Sequence, residues 1–241
     1  MDLLDPYVRP ARLAPMTLVL APIVLVAVLL VPTIAPISAK VAPLVVALGL
    51  PLLVSQLVQD RGNAVQDRLW RRWGGAPTTQ LLRYLDNPEP QHRDRRRGDL
   101  QRITEGRVVL PTEEDERDDP AAAAAAYADA VALLRGRTRR RDEYPTVFAE
   151  NVSYGYRRNC LALRLLGITV ATAVALGCLT VALVTGLGPA HTDGGQSAAW
   201  AAAAGGAALV AVLWWRAVSA TWVRIAAFRY ARAVLDAAAG M

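Results

Sequence analysis

Residues 165–190 read LLGITVATAVALGCLTVALVTGLGPA and carry no charged side chain. An α-helix rises about 1.5 Å per residue, so about 20 residues cross a hydrocarbon core of roughly 30 Å. Uncharged runs also occupy residues 14–39, 41–58 and 194–215. The four runs predict an all-α membrane protein with four transmembrane helices in two hairpins, 14–58 and 161–216. The predicted spans cover about 15–36, 41–58, 163–187 and 197–216.

The composition of the whole chain favours the same class of protein. Its residues are 54% hydrophobic and 20% charged, whereas a soluble domain is usually near 45–50% apolar and about 25% charged. This excess of apolar residues excludes a disordered chain, a disulfide scaffold and a soluble enzyme with a single core. Cys160 and Cys178 have neither metal-site spacing nor a histidine partner in the sequence, so both are interpreted as small apolar side chains.

Arginines near the ends of the uncharged runs predict the orientation. Residues 1–13, 59–160 and 217–241 all place arginine next to a span, whereas the hairpins near 33–41 and 187–197 together contain one basic residue, Lys40. Cytoplasmic loops are enriched in Lys and Arg. The sequence therefore predicts a multi-pass membrane protein. All but one of its 27 basic residues are arginine and alanine is abundant, which suggests a GC-rich bacterial genome and so the bacterial plasma membrane. The N-terminus of the chain, its insert 59–160 and its C-terminal helix 217–241 would all be cytoplasmic.

The insert is nearly balanced in charge, although the whole chain has a net charge of +6. A nucleic-acid-binding domain has a net basic face, so nucleic acid is not an expected partner. The expected partners are the lipid bilayer and either a cytosolic protein or a small anionic ligand. A homo-oligomer is a further option.

Caps and breakers predict the helices of the insert. The helix from the second run should continue to Trp73 and stop at Gly74-Gly75. Asp119, as N-cap, and Pro120, as first helical residue, predict a helix over 120–135. Further predictions are a short helix 80–85 capped by Thr78 or Thr79, an exposed loop 86–99, a short helix 100–104, a helix from Pro145 into the third span, and an unbroken continuation of the fourth span.

One segment at the predicted membrane surface concentrates polar and aromatic residues. It supplies the candidate ligand- or partner-binding side chains Glu150, Asn151, Tyr154, Tyr156, Arg157, Arg158 and Asn159. Two interpretations stay open. The segment is an interfacial aromatic anchor with positive charge on the inner side, or it is a pocket whose arginines bind an anion while its tyrosines stack on the ligand.

Small residues fill the middle of the fourth run, where residues 201–208 read AAAAGGAA. Glycine and alanine allow helix backbones to approach closely within a membrane. Gly205 and Gly206 are therefore candidates for helix packing or for contacts between copies of the chain.

The sequence lacks the common catalytic and cofactor motifs. It contains no phosphate-binding loop, no G-x-S-x-G and no H-E-x-x-H, and its two histidines stand alone. We therefore expect a non-enzymatic protein without cofactor or metal. One hypothesis is a sensor or scaffold whose insert binds a partner or a small anion and couples it to the spans. The alternative is an oligomeric pore-forming effector.

Two strings carry a family resemblance: WGGAPTTQLLR at residues 73–83 and ENVSYGYRRN at residues 150–159. Both resemble motifs of uncharacterised bacterial four-span membrane proteins with a central cytoplasmic helical insert. Those motifs often have Phe where this chain has Tyr156. The resemblance implies an architecture and no reaction. The layout is also similar to that of membrane effectors in bacterial nucleotide-signalling defence, which is the basis of the pore-forming alternative.

Overall fold

The computed structural model describes residues 9–30, 50–187 and 194–241, and every long element in these ranges is a helix. The helices are α1 (Ala14–Leu30), α2 (Leu50–Trp73), α3 (Pro77–Gln80), α4 (Pro90–Thr104), α5 (Glu113–Asp118), α6 (Pro120–Arg137), α7 (Pro145–Leu187), α8 (Gly194–Ala217) and α9 (Ala220–Ala237). A π-helical turn, Arg9–Leu13, precedes α1, and a 3₁₀ turn, Ala238–Gly240, follows α9.

The chain divides into two compact units. The first, here called the spanning unit, comprises residues 1–63 and 155–222, and the second, the insert unit, comprises 64–154 and 223–241. Each of the three points where the chain passes from one unit to the other lies inside a helix, namely α2, α7 and α9.

Among the described residues, three helical stretches are long and apolar enough to cross a membrane. They are Pro10–Ala27, Pro145–Leu187 and Gly195–Ala217, with mean hydropathies of 1.7, 2.2 and 1.6. The protein is thus helical and compatible with a membrane location. Most of the span predicted at 41–58 lies outside the described residues, which begin again at Leu50, so that span stays a prediction.

The spanning unit places apolar side chains both inside and outside. Val19, Val58, Leu163 and Trp214 are buried together between α1, α2, α7 and α8. Large apolar side chains on the outer surface include Leu18, Leu53, Leu165, Leu176, Leu183, Val184, Leu209 and Val212. A water-soluble protein rarely exposes so many contiguous apolar groups. An outer surface of this kind is typical of helices that face lipid.

Helix α7 is one continuous element of 43 residues. At about 1.5 Å per residue it is about 65 Å long, roughly twice the thickness of a hydrocarbon core. The prediction that a helix begins at Pro145 and continues into the third uncharged run is confirmed. The predicted end of α2 at Trp73 is also confirmed. The helix ends there because Gly74 and Gly75 adopt φ of +81° and +121°, values that favour glycine.

The predicted helix 80–85 with a threonine cap is wrong. Helix α3 begins at Pro77 and ends at Gln80, and its N-cap Ala76 makes no side-chain hydrogen bond. Pro77 has a fixed φ and needs no amide hydrogen, so it suits the first helical position and moves the start ahead of both threonines.

The predicted exposed loop 86–99 is also wrong, because α4 covers Pro90–Thr104 and absorbs the short helix expected at 100–104. The charged residues 93–97 of this segment suggested that it is fully exposed to solvent. Instead Arg96 and Arg97 are buried, with 3% and 8% of their surface exposed. Both arginines find acceptors inside the insert unit, which sequence spacing does not reveal.

The predicted helix after Pro120 is confirmed, and α6 continues to Arg137. The Asp119 carboxylate accepts hydrogen bonds from the amides of Ala121 and Ala122, at 3.1 and 2.9 Å. The preceding acidic run forms a helix of its own, α5. Thr112, the N-cap residue, and Asp115 form a reciprocal capping box at the start of α5.

The predicted unbroken continuation of the fourth span is wrong. Val218 and Ser219 separate α8 from α9. The Ser219 hydroxyl oxygen accepts a hydrogen bond of 3.2 Å from the Trp222 amide and so caps the new helix. Helices α4, α6 and α9 then enclose the core of the insert unit, whose largest buried members include Leu81, Leu82, Leu100, Tyr127, Leu134, Val234 and Leu235.

Candidate functional site

The first part of the segment 150–159 packs against other helices of the insert unit. Glu150 forms an ion pair with Arg229 of α9. The Tyr154 hydroxyl donates a 3.0 Å hydrogen bond to Oε1 of Gln66, and its ring stacks on Tyr230 at 6.2 Å between centroids. Contacts within the protein therefore engage the Tyr154 hydroxyl and Oε1 of Glu150, whereas Oε2 of Glu150 is buried without a partner among the described residues.

The second part of the segment lies in the spanning unit and surrounds Trp222. Arg157 donates a hydrogen bond of 3.1 Å from Nη1 to the Trp222 carbonyl, and its guanidinium carbon lies 5.0 Å from the centre of the indole. The ring of Tyr156 meets the same indole edge-on at 6.2 Å. Arg157 and the two aromatic rings thus form one cluster of intramolecular contacts, and the anchor interpretation stays a prediction.

Asn159 is fully buried where α7 meets α2 and the N-terminal turn. Its Nδ2 donates a hydrogen bond of 2.7 Å to the Ala11 carbonyl. A Cβ placed on Gly62 would lie 1.9 Å from Asn159 Oδ1, so the helices approach at a glycine. Arg158 is buried beside it, and Asn151 is half-buried. The seven candidate residues thus belong to both units, and none of them lines the cavity described below.

The two candidate glycines of α8 have different surroundings. A Cβ on Gly206 would lie 3.4 Å from the Leu25 side chain of α1, so Gly206 packs within the chain. Gly205 faces open space and lines an apolar groove of about 430 Å³ between α7 and α8. Of the two, Gly205 is the position open to a neighbouring molecule.

A buried chain of hydrogen bonds crosses the insert unit. Arg97 donates from Nη1 to the Tyr127 hydroxyl at 2.7 Å, and this hydroxyl donates to Glu116 Oε2 at 3.0 Å. The Glu116 carboxylate also accepts from the amides of Tyr84 and Leu85, at 2.8 and 3.0 Å. Burial raises the pKa of Tyr127 to about 12, even though Arg97 acts in the opposite direction. Tyr127 therefore stays a neutral donor at physiological pH.

A cavity of about 520 Å³ adjoins this chain in the same unit. Trp70, Arg83, Glu116 and Tyr127 contribute to its wall, together with one face of α6 that carries Ala123, Ala124 and Ala128. Its volume falls within the range of roughly 300–1,000 Å³ that is usual for small-molecule sites.

The string at residues 73–83 forms one side of the cavity. Arg83 donates from Nη1 to the Gly74 carbonyl at 3.1 Å and from Nη2 to the Asp86 carbonyl at 3.3 Å. Gln80 donates from Nε2 to the Gly75 carbonyl at 2.8 Å. Hydrogen bonds from Gln80 and Arg83, two side chains of the same segment, thus hold the glycine turn in place.

Two nitrogen donors at the cavity wall are left without a protein acceptor. Trp70 Nε1 and Arg83 Nε are both buried and make no hydrogen bond within the described residues. Most buried donors in folded proteins are paired, so these two nitrogens are candidate donors to a ligand. Two sequence features contribute to this site, the glycine pair 74–75 and the alanine run that follows Pro120. The fold of the insert unit brings these two segments to the same cavity.

Glu89 forms a second ionic cluster, between α4 and α9. It accepts hydrogen bonds from Arg96 Nη1 at 2.8 Å and from Arg232 Nε at 2.6 Å. Asp236 also lies 3.3 Å from Arg96 Nε. Burial raises the pKa of Glu89, but the hydrogen bonds from both arginines outweigh burial, so the pKa is lowered below its ordinary value of 4.5.

This cluster predicts a loss of stability in acid. A carboxyl whose pKa is lowered by folding contributes stability above its unfolded pKa, and this contribution is lost as the pH falls through the folded pKa. We expect the thermal midpoint of the detergent-purified chain to fall below about pH 4.5. Glu89→Gln should have a lower midpoint at pH 7 and a flatter acid profile. Parallel profiles for both proteins would contradict this role of Glu89.

Comparison of the chain with protein-family models, with curated proteins and with solved structures gives no match. The residues that the structure describes also contain no group of three or more His, Cys, Asp or Glu side chains placed to hold a metal ion. The candidate site that the geometry supports is the cavity of the insert unit.

Proposed function

We propose that this protein is a non-enzymatic, multi-pass membrane sensor or scaffold whose insert unit lies in the cytoplasm and binds a small molecule. The observation that carries the proposal is the cavity of about 520 Å³ in the insert unit. Its wall combines an apolar helix face with Arg83 and two unpaired donors. Concave, mostly apolar sites with a few polar groups are the usual form of ligand sites.

Chain connectivity supports a coupling of this cavity to the spans. Trp70 of the cavity wall lies on α2, and the other end of α2 belongs to the spanning unit. A ligand that binds one conformation of the wall better than another shifts the balance between them. We propose that α2 transmits this shift, since the same helix continues into the spanning unit without a break.

Native mass spectrometry of the full chain in mild detergent tests this function. We expect a monomer or dimer that carries a small bound molecule, or that acquires one when a metabolite extract is added. Trp70→Phe combined with Arg83→Met should remove the added mass. A ring-sized oligomer without a bound molecule would overturn the sensor proposal and favour the alternative.

The alternative function is an oligomeric pore-forming effector. The groove beside Gly205 favours it, because small residues on its α8 side, including Ala201, Ala204 and Ala208, leave the helix surface open. Helices in membranes associate by close packing at such surfaces. Closed rings of identical subunits can then enclose a pore.

If the chain forms a pore, Gly205→Leu is expected to abolish depolarisation of cells that overproduce it. A Cβ at Gly205 would meet no atom within 4 Å, so leucine can enter the groove and occupy the space that a neighbouring copy would need. Membrane potential dyes and a blot of the membrane fraction provide the measurement. Gly206→Leu would also disturb the contact with Leu25, so it is not a clean test. Depolarisation unchanged in Gly205→Leu would count against the pore.

A further inference from the structure

The charge of Arg83 is the starting point for assigning the ligand. Its two terminal nitrogens donate to carbonyl oxygens of Gly74 and Asp86, which are neutral acceptors. Among the described residues, no carboxylate lies within ion-pair distance of this guanidinium. A cation at a cavity wall without a neutralising partner favours an anion.

The carboxylates at the wall do not reverse this preference. Glu116 already accepts hydrogen bonds from two amides and from the Tyr127 hydroxyl. Asp86 is exposed, so water screens its charge. Arg83 therefore remains the charged group at the wall whose interactions are the least satisfied.

The rest of the wall is suited to an apolar body. Ala123, Ala124 and Ala128 project only methyl groups, and the Trp70 side chain adds an aromatic group to the wall. Aromatic surfaces prefer stacked or edge-on contacts with other rings. The indole nitrogen adds a hydrogen-bond donor, since Nε1 has no acceptor among the described residues.

We propose that the cavity of the insert unit binds a small organic monoanion with an apolar, preferably aromatic, body. Arg83 binds the acid group, Trp70 donates to it, and the alanine face of α6 contacts the ring. Trp70 Nε1 and Arg83 Nε are buried without an acceptor among the described residues. The proposed binding requires both donors to turn toward the acid group. The assignment rests on the proposed function and names the ligand class for its site.

The test uses 2-naphthoate as the anionic probe and 2-naphthamide as its uncharged counterpart. The full chain is reconstituted in lipid nanodiscs, and each probe is titrated by calorimetry with empty nanodiscs as blank. The wild type should bind naphthoate at least about tenfold more tightly than naphthamide, as expected for one charged hydrogen bond. Equal affinities for the two probes would overturn the monoanion assignment.

Variants locate the binding. Arg83→Met should reduce naphthoate affinity to that of naphthamide while naphthamide still binds, which shows that the cavity is intact. Trp70→Phe should weaken naphthoate about tenfold, whereas the matched Trp73→Phe, outside the cavity wall, should leave it unchanged. Naphthoate binding that survives Arg83→Met would overturn the assignment.

The outcomes separate this assignment from the function on which it rests. A neutral or cationic molecule found by native mass spectrometry, lost in the Trp70→Phe variant, would overturn the monoanion class and leave a ligand-binding insert. The absence of any bound mass, with neither probe binding, would overturn both proposals.

Discussion

Arg97→Met is expected to lower the free energy of local opening of α4 and α6 by about 3 to 5 kcal/mol. Arg97 is buried, and it donates to the carbonyls of Leu82 and Pro111 as well as to the Tyr127 hydroxyl. Its loss leaves two buried carbonyls unpaired and removes the positive end of the chain that reaches Glu116. Hydrogen exchange of the full chain, followed by mass spectrometry, measures this opening.

Arg93→Met is the matched control. The guanidinium carbons of Arg93 and Arg97 both lie 4.3 Å from the centre of the Tyr84 ring. Arg93 is partly exposed, and its ion-pair partner Asp94 is open to solvent. Exposed pairs contribute at most about 1 kcal/mol, so exchange in this variant should stay close to wild type. An equal loss in both variants would contradict the role of the buried chain.

The second large effect is expected for Gly167→Ala in the spanning unit. An added Cβ would lie 2.5 Å from Cδ2 and Cε2 of Trp214, whose side chain is buried. Either the ring or the helix must move, and overpacking of this kind costs about 1 to 3 kcal/mol. We expect a thermal midpoint several degrees lower for the detergent-purified chain.

The same helix provides the control for this variant. Gly177 also lies on α7, but a Cβ there would meet no atom within 4 Å. Gly177→Ala should therefore leave the midpoint unchanged or raise it slightly, because alanine is the better helix former. If both variants lose the same stability, contact with Trp214 would not be the cause.

Local signals predicted the helix ends that depend on local chemistry. Asp119 and Pro120 fix the start of α6, and Gly74 fixes the end of α2, because caps and positive φ act within a few residues. The uncharged runs likewise predicted helices long enough to span a membrane, and three are found among the described residues.

Features that depend on tertiary contacts could not be predicted in this way. The charged run 93–97 suggested a solvated loop, but Arg96 and Arg97 are buried by partners distant in sequence, Asp236 and Tyr127. Likewise, nothing in the spacing of Trp70 and Ala128 indicates that both line one cavity. Helix propensity and hydrophobic periodicity describe one secondary-structure element at a time, whereas the wall of a cavity is formed by several elements.

The prediction for residues 150–159 illustrates the same limit. The density of arginine and tyrosine suggested either a pocket or an anchor. In the structure Arg157 and Tyr156 contact Trp222, and Tyr154 contacts Gln66. Those partners come from elements that the sequence could not place beside α7, and both interpretations stay predictions.

The central claim is tested most directly by measuring on which side of the membrane the insert unit lies. Gln91 on α4 and Gln196 on α8 are both exposed, and the native Cys160 and Cys178 are buried, so a single introduced cysteine can be labelled at either position. In intact spheroplasts of a bacterial host, an impermeant maleimide should label Gln196→Cys at once and label Gln91→Cys only after lysis. Labelling of Gln91→Cys in intact spheroplasts would contradict a cytoplasmic ligand-binding unit.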